Sequence, residues 1–278
     1  MLGKLIKHEW RSVWKIPGSV NLFLLLYTLA GIISFHSPIW ESDNKIIEAL
    51  LIFASSFYFI MITLISFIVM IYLTVRFYKN LYTDEGYLMH TLPVSQKELI
   101  LSKLLVAFIW TLITGIVIIV SVASVMITAV SIGNNGISVA QMWDAFMQMI
   151  NVQFLEWFRE LFGISFFHGI MLFLAFSIIS ILYGILMIYA SISLGQLMQK
   201  HKILGSVLGY IGIHTVLQLI NTLTLTPLML NMSNDATVTE VFHSFIPYCY
   251  FSLGESIIFC IVFFFLTEYL MKKKLNLD

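Results

Sequence analysis

The chain has 278 residues, of which 59% are apolar and only 11% charged. A soluble domain carries about 25% charged residues, so this chain has too little charge to cover a water-facing surface and reads as a membrane protein. Fifteen Lys and Arg balance fifteen Asp and Glu, and without a basic surplus a nucleic-acid partner held by counterion release drops out.

In the first segment, residues 1–16, Leu2, Leu5, Ile6, Trp10, Val13 and Trp14 recur at helical spacing, with Lys4, Lys7, Arg11 and Lys15 between them. This predicts an amphipathic helix in the membrane interface, Trp10 and Trp14 at headgroup depth and Arg11 among cations facing water or anionic lipid. The apolar run that follows ends in Phe35-His36-Ser37-Pro38 without a small-residue cleavage site, so it is read as a retained span rather than a signal peptide.

About 20 apolar residues cover the hydrocarbon core, and six runs of that length occur, five of them charge-free and the last interrupted only by Glu255. The predicted helices are Gly18 to Phe35, Leu51 to Leu73, Leu104 to Ile132, Phe166 to Leu194, Ile203 to Leu223 and Ser252 to Leu270. Pro17, Pro38, Pro93, Pro227 and Pro247 all fall where a helix end or a connection is expected, as a residue without an amide donor requires. Gly133-Asn134-Asn135-Gly136 is turn chemistry that ends the third span, leaving 133–165 as a connection; 224–250 is a second one.

Between spans two and three, residues 76–103 carry the most local information. Thr83 can cap a short helix whose first turn holds Asp84 and Glu85, where acidic groups complement the helix dipole. Pro93 closes that helix, and Ser95-Gln96-Lys97-Glu98 fits a capping box opening a helix that runs on into span three. A short rigid helix joined firmly to two spans can transmit force from a soluble partner; an ordinary ordered loop is the plainer reading.

Further along, His214, Gln218 and Asn221 follow i, i+4, i+7 spacing on one face of the fifth span, and Glu255 is the acid within the sixth apolar run, read as near its outer end. A transport path and interhelical hydrogen bonding or snorkelling both account for this set. His168 is expected at the interface. Gly205 and Gly209, continued by Gly212, form a GxxxG stripe, and Thr114, Ser121 and Thr128 share a face of span three, both patterns of helix packing. Fourteen methionines offer adaptable apolar surface, or simply fill gaps. Cys249 and Cys260, eleven positions apart on one predicted helix, are separated by roughly 16 Å of rise, too far for a disulfide.

Thirteen of the fifteen cations, all but Lys45 and Arg159, fall on one side if both termini lie there, which by the positive-inside rule makes that side cytoplasmic and the span count even. The opposite side gathers Glu41, Asp43, Glu48, Asp144, Glu156, Glu160, Asp235 and Glu240. Such an anionic mouth either concentrates a cationic ligand or merely completes the topology.

The run Lys79-Asn80-Leu81-Tyr82-Thr83-Asp84-Glu85-Gly86-Tyr87-Leu88-Met89-His90-Thr91-Leu92-Pro93-Val94-Ser95, followed by Glu98-Leu99-Ile100-Leu101-Ser102-Lys103, resembles the first cytoplasmic loop of type-2 permeases of bacterial ATP-binding cassette exporters. His90 stands where an apolar or aromatic residue is expected. The resemblance implies that Thr83, Asp84, Glu85, Gly86, Tyr87, Leu88, His90, Thr91, Leu92 and Pro93 form a coupling helix seated in a separate ATPase subunit. It also implies two ATPase copies, a second permease chain (self or paralogue), and ATP and Mg held in the partner rather than here. The fold expected is all-α, one polytopic permease domain over residues 1–278 in the bacterial cell membrane.

No P-loop occurs, the only Gly-Lys pair being Gly3-Lys4; His8-Glu9 lacks the second histidine of a zinc motif, and no G-x-S-x-G elbow is present. This chain is therefore expected to catalyse no covalent step and to bind no cofactor or metal. The leading expectation is the permease of an ATP-driven exporter of a hydrophobic or amphipathic peptide, antibiotic or lipid. The alternatives are an ATP-independent channel or proton-coupled carrier using Glu255 and the His214 face, an intramembrane enzyme, and a sensory subunit that binds an antibiotic without moving it.

Overall fold

The computed structural model describes residues 1–35, 45–83, 86, 93–133, 138–198, 200–230 and 238–273. They form nine helices and no strand: α1 Leu2–Val13, α2 Lys15–Phe35, α3 Lys45–Tyr82, α4 Gln96–Gly133, α5 Val139–Met149, α6 Val152–Phe162, α7 Phe166–Gly195, α8 Lys202–Leu230 and α9 Val238–Lys273. Among these, α2, α3, α4, α7, α8 and α9 are long and apolar enough to cross a membrane. The six expected spans are all present, and the chain is a multi-pass membrane protein. Large side chains such as Phe23, Leu26, Phe59, Phe67, Phe173 and Ile258 lie exposed on their outer faces, surface that only a hydrocarbon solvent makes stable.

Helix ends depart from expectation in informative ways. At 38 residues each, α3 and α4 measure about 57 Å, nearly twice the roughly 30 Å hydrocarbon core, so both run well past it. For α4 the extra length starts at the capping box: the Glu98 carboxylate accepts from the Ser95 amide at 3.1 Å, and the Glu98 amide donates to Ser95 Oγ at 3.3 Å. The connection 133–165 is largely helical, holding α5 and α6. Asn151 caps α6 by accepting from the Phe154 amide at 2.8 Å, and Gly163 ends it at φ 70°.

The expected connection 224–250 is also mostly helix, since α8 extends to Leu230 and α9 begins at Val238. Pro247 thus lies inside α9 rather than at its end. Its ring denies the residue 243 carbonyl an amide, a loss of about 3 kcal/mol in an isolated helix that packing outweighs here. Pro227 sits in the last turn of α8, near the helix end where it is expected.

The described chain divides into two units, residues 1–76 with 105–148, and 77–104 with 149–278. In the first, Leu24, Tyr58 and Ile65 form a small buried core with Tyr27, Ile62 and Val117 around it. A polar ladder runs through it: Asn21 Nδ2 donates to Thr114 at 3.1 Å, and Tyr58, Ser121 and Thr28 are hydrogen-bonded in series. Thr28 passes its proton to the Leu24 carbonyl at 2.8 Å, so each hydroxyl in the chain has an acceptor. Thr114 and Ser121 therefore pack as their heptad spacing predicts, while Thr128 donates to the Ser124 carbonyl of its own helix.

In the first unit α1 is not simply an interfacial float. Trp10 stacks on Trp110 of α4 with ring centroids 5.0 Å apart, whereas Trp14 is half exposed and Arg11 faces outward. Glu9 is buried, and its carboxylate accepts from Arg76 Nε at 2.7 Å.

The second unit is built around α7, which packs along both α8 and α9, while α8 and α9 meet only sparsely. Phe77, Leu81 and Tyr82 from the end of α3 and Ile100 and Leu104 from the start of α4 are buried with Leu186, Tyr189 and Ala190 of α7. Close approach of α7 and α8 uses small residues on both: Gly205 and Gly209 face the Gly195 and Ser191 carbonyls. The GxxxG stripe is thus spent on an intramolecular contact, and Gly212 has open space around it.

Candidate functional site

The connection between α3 and α4 is fastened at both ends. At its start, Phe77 lies flat on Tyr189 of α7, centroids 3.5 Å apart, and the Tyr82 hydroxyl donates to Ser193 Oγ at 2.7 Å. Ser193 in turn donates to the Tyr189 carbonyl, so the buried tyrosine and serine are both satisfied. At its far end, Gln96 Nε2 donates to the Met271 carbonyl at 3.4 Å, and Lys97 Nζ lies 3.8 Å from Glu268 and 5.6 Å above the Phe265 ring, all on α9. Glu268 is buried and also holds Lys272 one turn on. Removing such partners from a buried carboxylate is strongly destabilising.

At the end of α3 the Thr83 hydroxyl donates back to the Lys79 carbonyl at 2.6 Å. Two residues of the expected coupling helix beyond Thr83 are described, Gly86 and Pro93; Asp84, Glu85, Tyr87, Leu88, His90, Thr91 and Leu92 lie outside the described residues. The Gly86 amide donates to the Thr83 carbonyl at 2.7 Å, and a Cβ on Gly86 would stand 2.6 Å from the Leu81 carbonyl oxygen. Glycine is required here by close backbone approach. Gly86→Ala is expected to speed tryptic cleavage after Lys79 by about fivefold, the factor by which roughly 1 kcal/mol shifts local opening. Gly3→Ala, where an added Cβ meets nothing within 4 Å, should leave the digest unchanged.

A cleft of about 150 Å³ lies deeper in the second unit, lined by Phe176, Ser180 and Tyr183 of α7, Asn221 of α8, and Ser252, Glu255, Ser256 and Phe259 of α9. Of the four polar span residues singled out from the sequence, it brings together Asn221 and Glu255. His214 and Gln218 are exposed on α8, with the His214 ring tilted against Tyr210, 6.2 Å between centroids. Asn221 Nδ2 donates to the Leu217 carbonyl at 3.1 Å, and Ser256 Oγ donates to the Ser252 carbonyl at 2.8 Å.

Glu255 is not near a helix end. In the 36-residue α9, any stretch of about 20 residues long enough to cross the hydrocarbon core includes it. The helix does not begin at Ser252 as expected but runs back through Pro247 to Val238, so Glu255 lies midway along α9 rather than near its end. His168 is exposed and hydrogen-bonds Tyr250, while His243 Nε2 donates to the Glu160 carbonyl at 2.8 Å, tying α9 to α6.

Several of these groups escaped the sequence reading. Glu9 follows Leu2, Leu5 and Ile6 at helical spacing, on the apolar stripe of α1, a position that signals a buried partner. Glu268 had a weaker signal, Lys272 at i+4. Tyr183 and Ser180 carried none, since only α9 packed on α7 reveals the cleft. Among the described residues no group of three or more His, Cys, Asp or Glu is arranged to hold a metal ion. No protein-family model, curated protein or solved structure matches the chain.

Proposed function

We propose that this chain is the membrane-spanning permease subunit of an ATP-driven exporter in the bacterial cell membrane, working beside a second permease chain and two copies of a separate ATPase. The observation that carries the reading is the fastening of the α3–α4 connection onto α7 at Phe77 and Tyr82 and onto α9 at Gln96 and Lys97. Those two helices also supply seven of the eight residues lining the Glu255 cleft. A push on the connection is delivered to α7 and α9 together through the stacked rings and hydrogen bonds at its two ends. The resemblance of residues 79–103 to a coupling loop supports an ATPase as the source of that push. The charge asymmetry supports both termini, and this loop, on the cytoplasmic side. ATP and Mg would be held by the partner, and the cargo is a hydrophobic or amphipathic molecule.

The test is affinity purification of the chain from its native membrane in mild detergent, with mass spectrometry of what accompanies it. An ATPase is expected to co-purify with the wild-type chain and to be lost with Asp84→Lys/Glu85→Lys, which reverses two charges in the connection. Absence of any ATPase after crosslinking sinks the proposal. The competing reading, a carrier that needs no ATPase, is favoured by the carboxylate in the middle of α9; it demands solute flux from the purified chain alone in proton-loaded liposomes.

A further inference from the structure

We propose that the Glu255 cleft binds the ammonium head of a cationic amphiphile that enters from the hydrocarbon layer between α8 and α9. This deepens the exporter reading by naming the chemistry of the cargo, and it rests on that reading only for the step of transport. The first argument is the hydrogen-bonding inventory of the walls. Asn221 spends an amide hydrogen on the Leu217 carbonyl and Ser256 its hydroxyl hydrogen on the Ser252 carbonyl, so Asn221 Oδ1 and Ser256 Oγ remain as acceptors. Glu255 adds a carboxylate, to which no Lys or Arg among the described residues is paired. An ammonium group brings three donors for these three acceptors; the walls also hold the second Asn221 amide hydrogen and the Ser180, Ser252 and Tyr183 hydroxyls, whose oxygens accept as well.

The aromatic side chains agree. Phe176, Tyr183 and Phe259 line the same cleft, and ring faces attract a cation most strongly where water is scarce. An anion would meet the carboxylate, and a divalent metal would lack the further carboxylate, imidazole or thiolate ligands it needs. Size narrows the guest further. A cavity of about 150 Å³ accepts a guest the size of benzene, hence a headgroup or one side chain and not a whole peptide. Sparse contact between α8 and α9 leaves that side for the alkyl tail. A carboxylate within an apolar span is costly, and pairing with a bound cation is a reason for it to be there.

The probe is a decylamine carrying a mid-chain diazirine and a terminal alkyne, applied to the chain, with any ATPase that co-purifies, in phosphatidylcholine nanodiscs. After irradiation, labelled peptides are mapped by mass spectrometry. Labels are expected to concentrate on residues 252–259 of α9 and on α8 around Asn221, the helices between which the tail lies, and to be displaced by excess decylamine but not by decanol or decanoate. Glu255→Gln should lower this labelling about tenfold, the scale of losing a hydrogen-bonded charge partner. Ser256→Leu, which fills the cleft and keeps the carboxylate, should do the same, so a folding defect in one variant leaves the other to decide. Equal displacement by decanol, labels spread over all lipid-facing helices, or undiminished labelling in both variants overturns the proposal. Headgroup-selective labelling without any captured ATPase would leave the site standing and remove the exporter reading; ATPase capture with unselective labelling would do the reverse.

Discussion

Gly195→Val is expected to destabilise the second unit by about 3 kcal/mol, seen as a lower midpoint for loss of the monodisperse peak on heating in detergent. Gly195 is the last residue of α7 and is buried against α8. A Cβ there would fall on Ser206 Oγ and the Ser206 amide, and within 2.7 Å of the Lys202 carbonyl oxygen. Two of these three obstacles are backbone, so they cannot swing aside as the end of a flexible side chain can. Ser206 itself is held, donating to the Lys202 carbonyl at 3.0 Å. The helices must separate, and Gly205 and Gly209, packed on the same stretch of α7, lose their contacts with it. Overpacking usually costs about 1–3 kcal/mol, and a clash with backbone belongs at the upper end. Gly184→Val is the control: on the same helix, an added Cβ there meets nothing within 4 Å. Equal midpoints for the two variants would show that α7 and α8 do not approach as described.

Arg76→Ala should cost about 3 kcal/mol in the same assay by taking the guanidinium from a buried carboxylate. Arg76 Nε donates to Glu9 at 2.7 Å and Nη2 to Ser12 Oγ at 2.5 Å, so one planar fork joins α3 to two turns of α1. Lysine cannot reproduce a two-pronged contact, and Arg76→Lys is expected to recover less than half of the loss. The Glu9 side chain is only 7% exposed, so added salt should barely change the result, unlike a surface pair. Glu9→Leu combined with Arg76→Leu, which removes both charges together, should restore most of the stability. A double variant as unstable as Arg76→Ala would mean that α1 is held by other contacts.

Both results turn on pairings that could not be read along the chain. Gly195 and Ser206 are separated by a helix end and a turn, and Glu9 and Arg76 are 67 positions apart in sequence. GxxxG announced a close contact but not its partner, since the stripe on α8 is equally suited to another chain. Glu255 shows the same limit at shorter range. Its place along the helix depended on whether Pro247 stops it, and local propensity favoured a stop that the structure does not show. In the connection between α3 and α4, Ser95 and Glu98 were legible because the cap is an i, i+3 contact. The Tyr82 bond to Ser193 was not, as it joins residues 111 positions apart.

The sequence by itself determined that this is a six-span helical membrane protein with an amphipathic first helix, a capped entry to α4 and glycines set for close packing. Each of these follows from solvent preference, helical period or contacts between near neighbours, all carried by adjacent residues. Only the tertiary structure decided that Glu9 is buried against Arg76, that the α3–α4 connection is fastened to α7 and α9, and that Glu255 shares a cleft with Asn221 and Tyr183. Those arrangements depend on which helix faces meet, and a one-dimensional pattern of apolar residues, nearly uniform around each span, leaves the rotation and partner of every helix open until packing and hydrogen bonding select them.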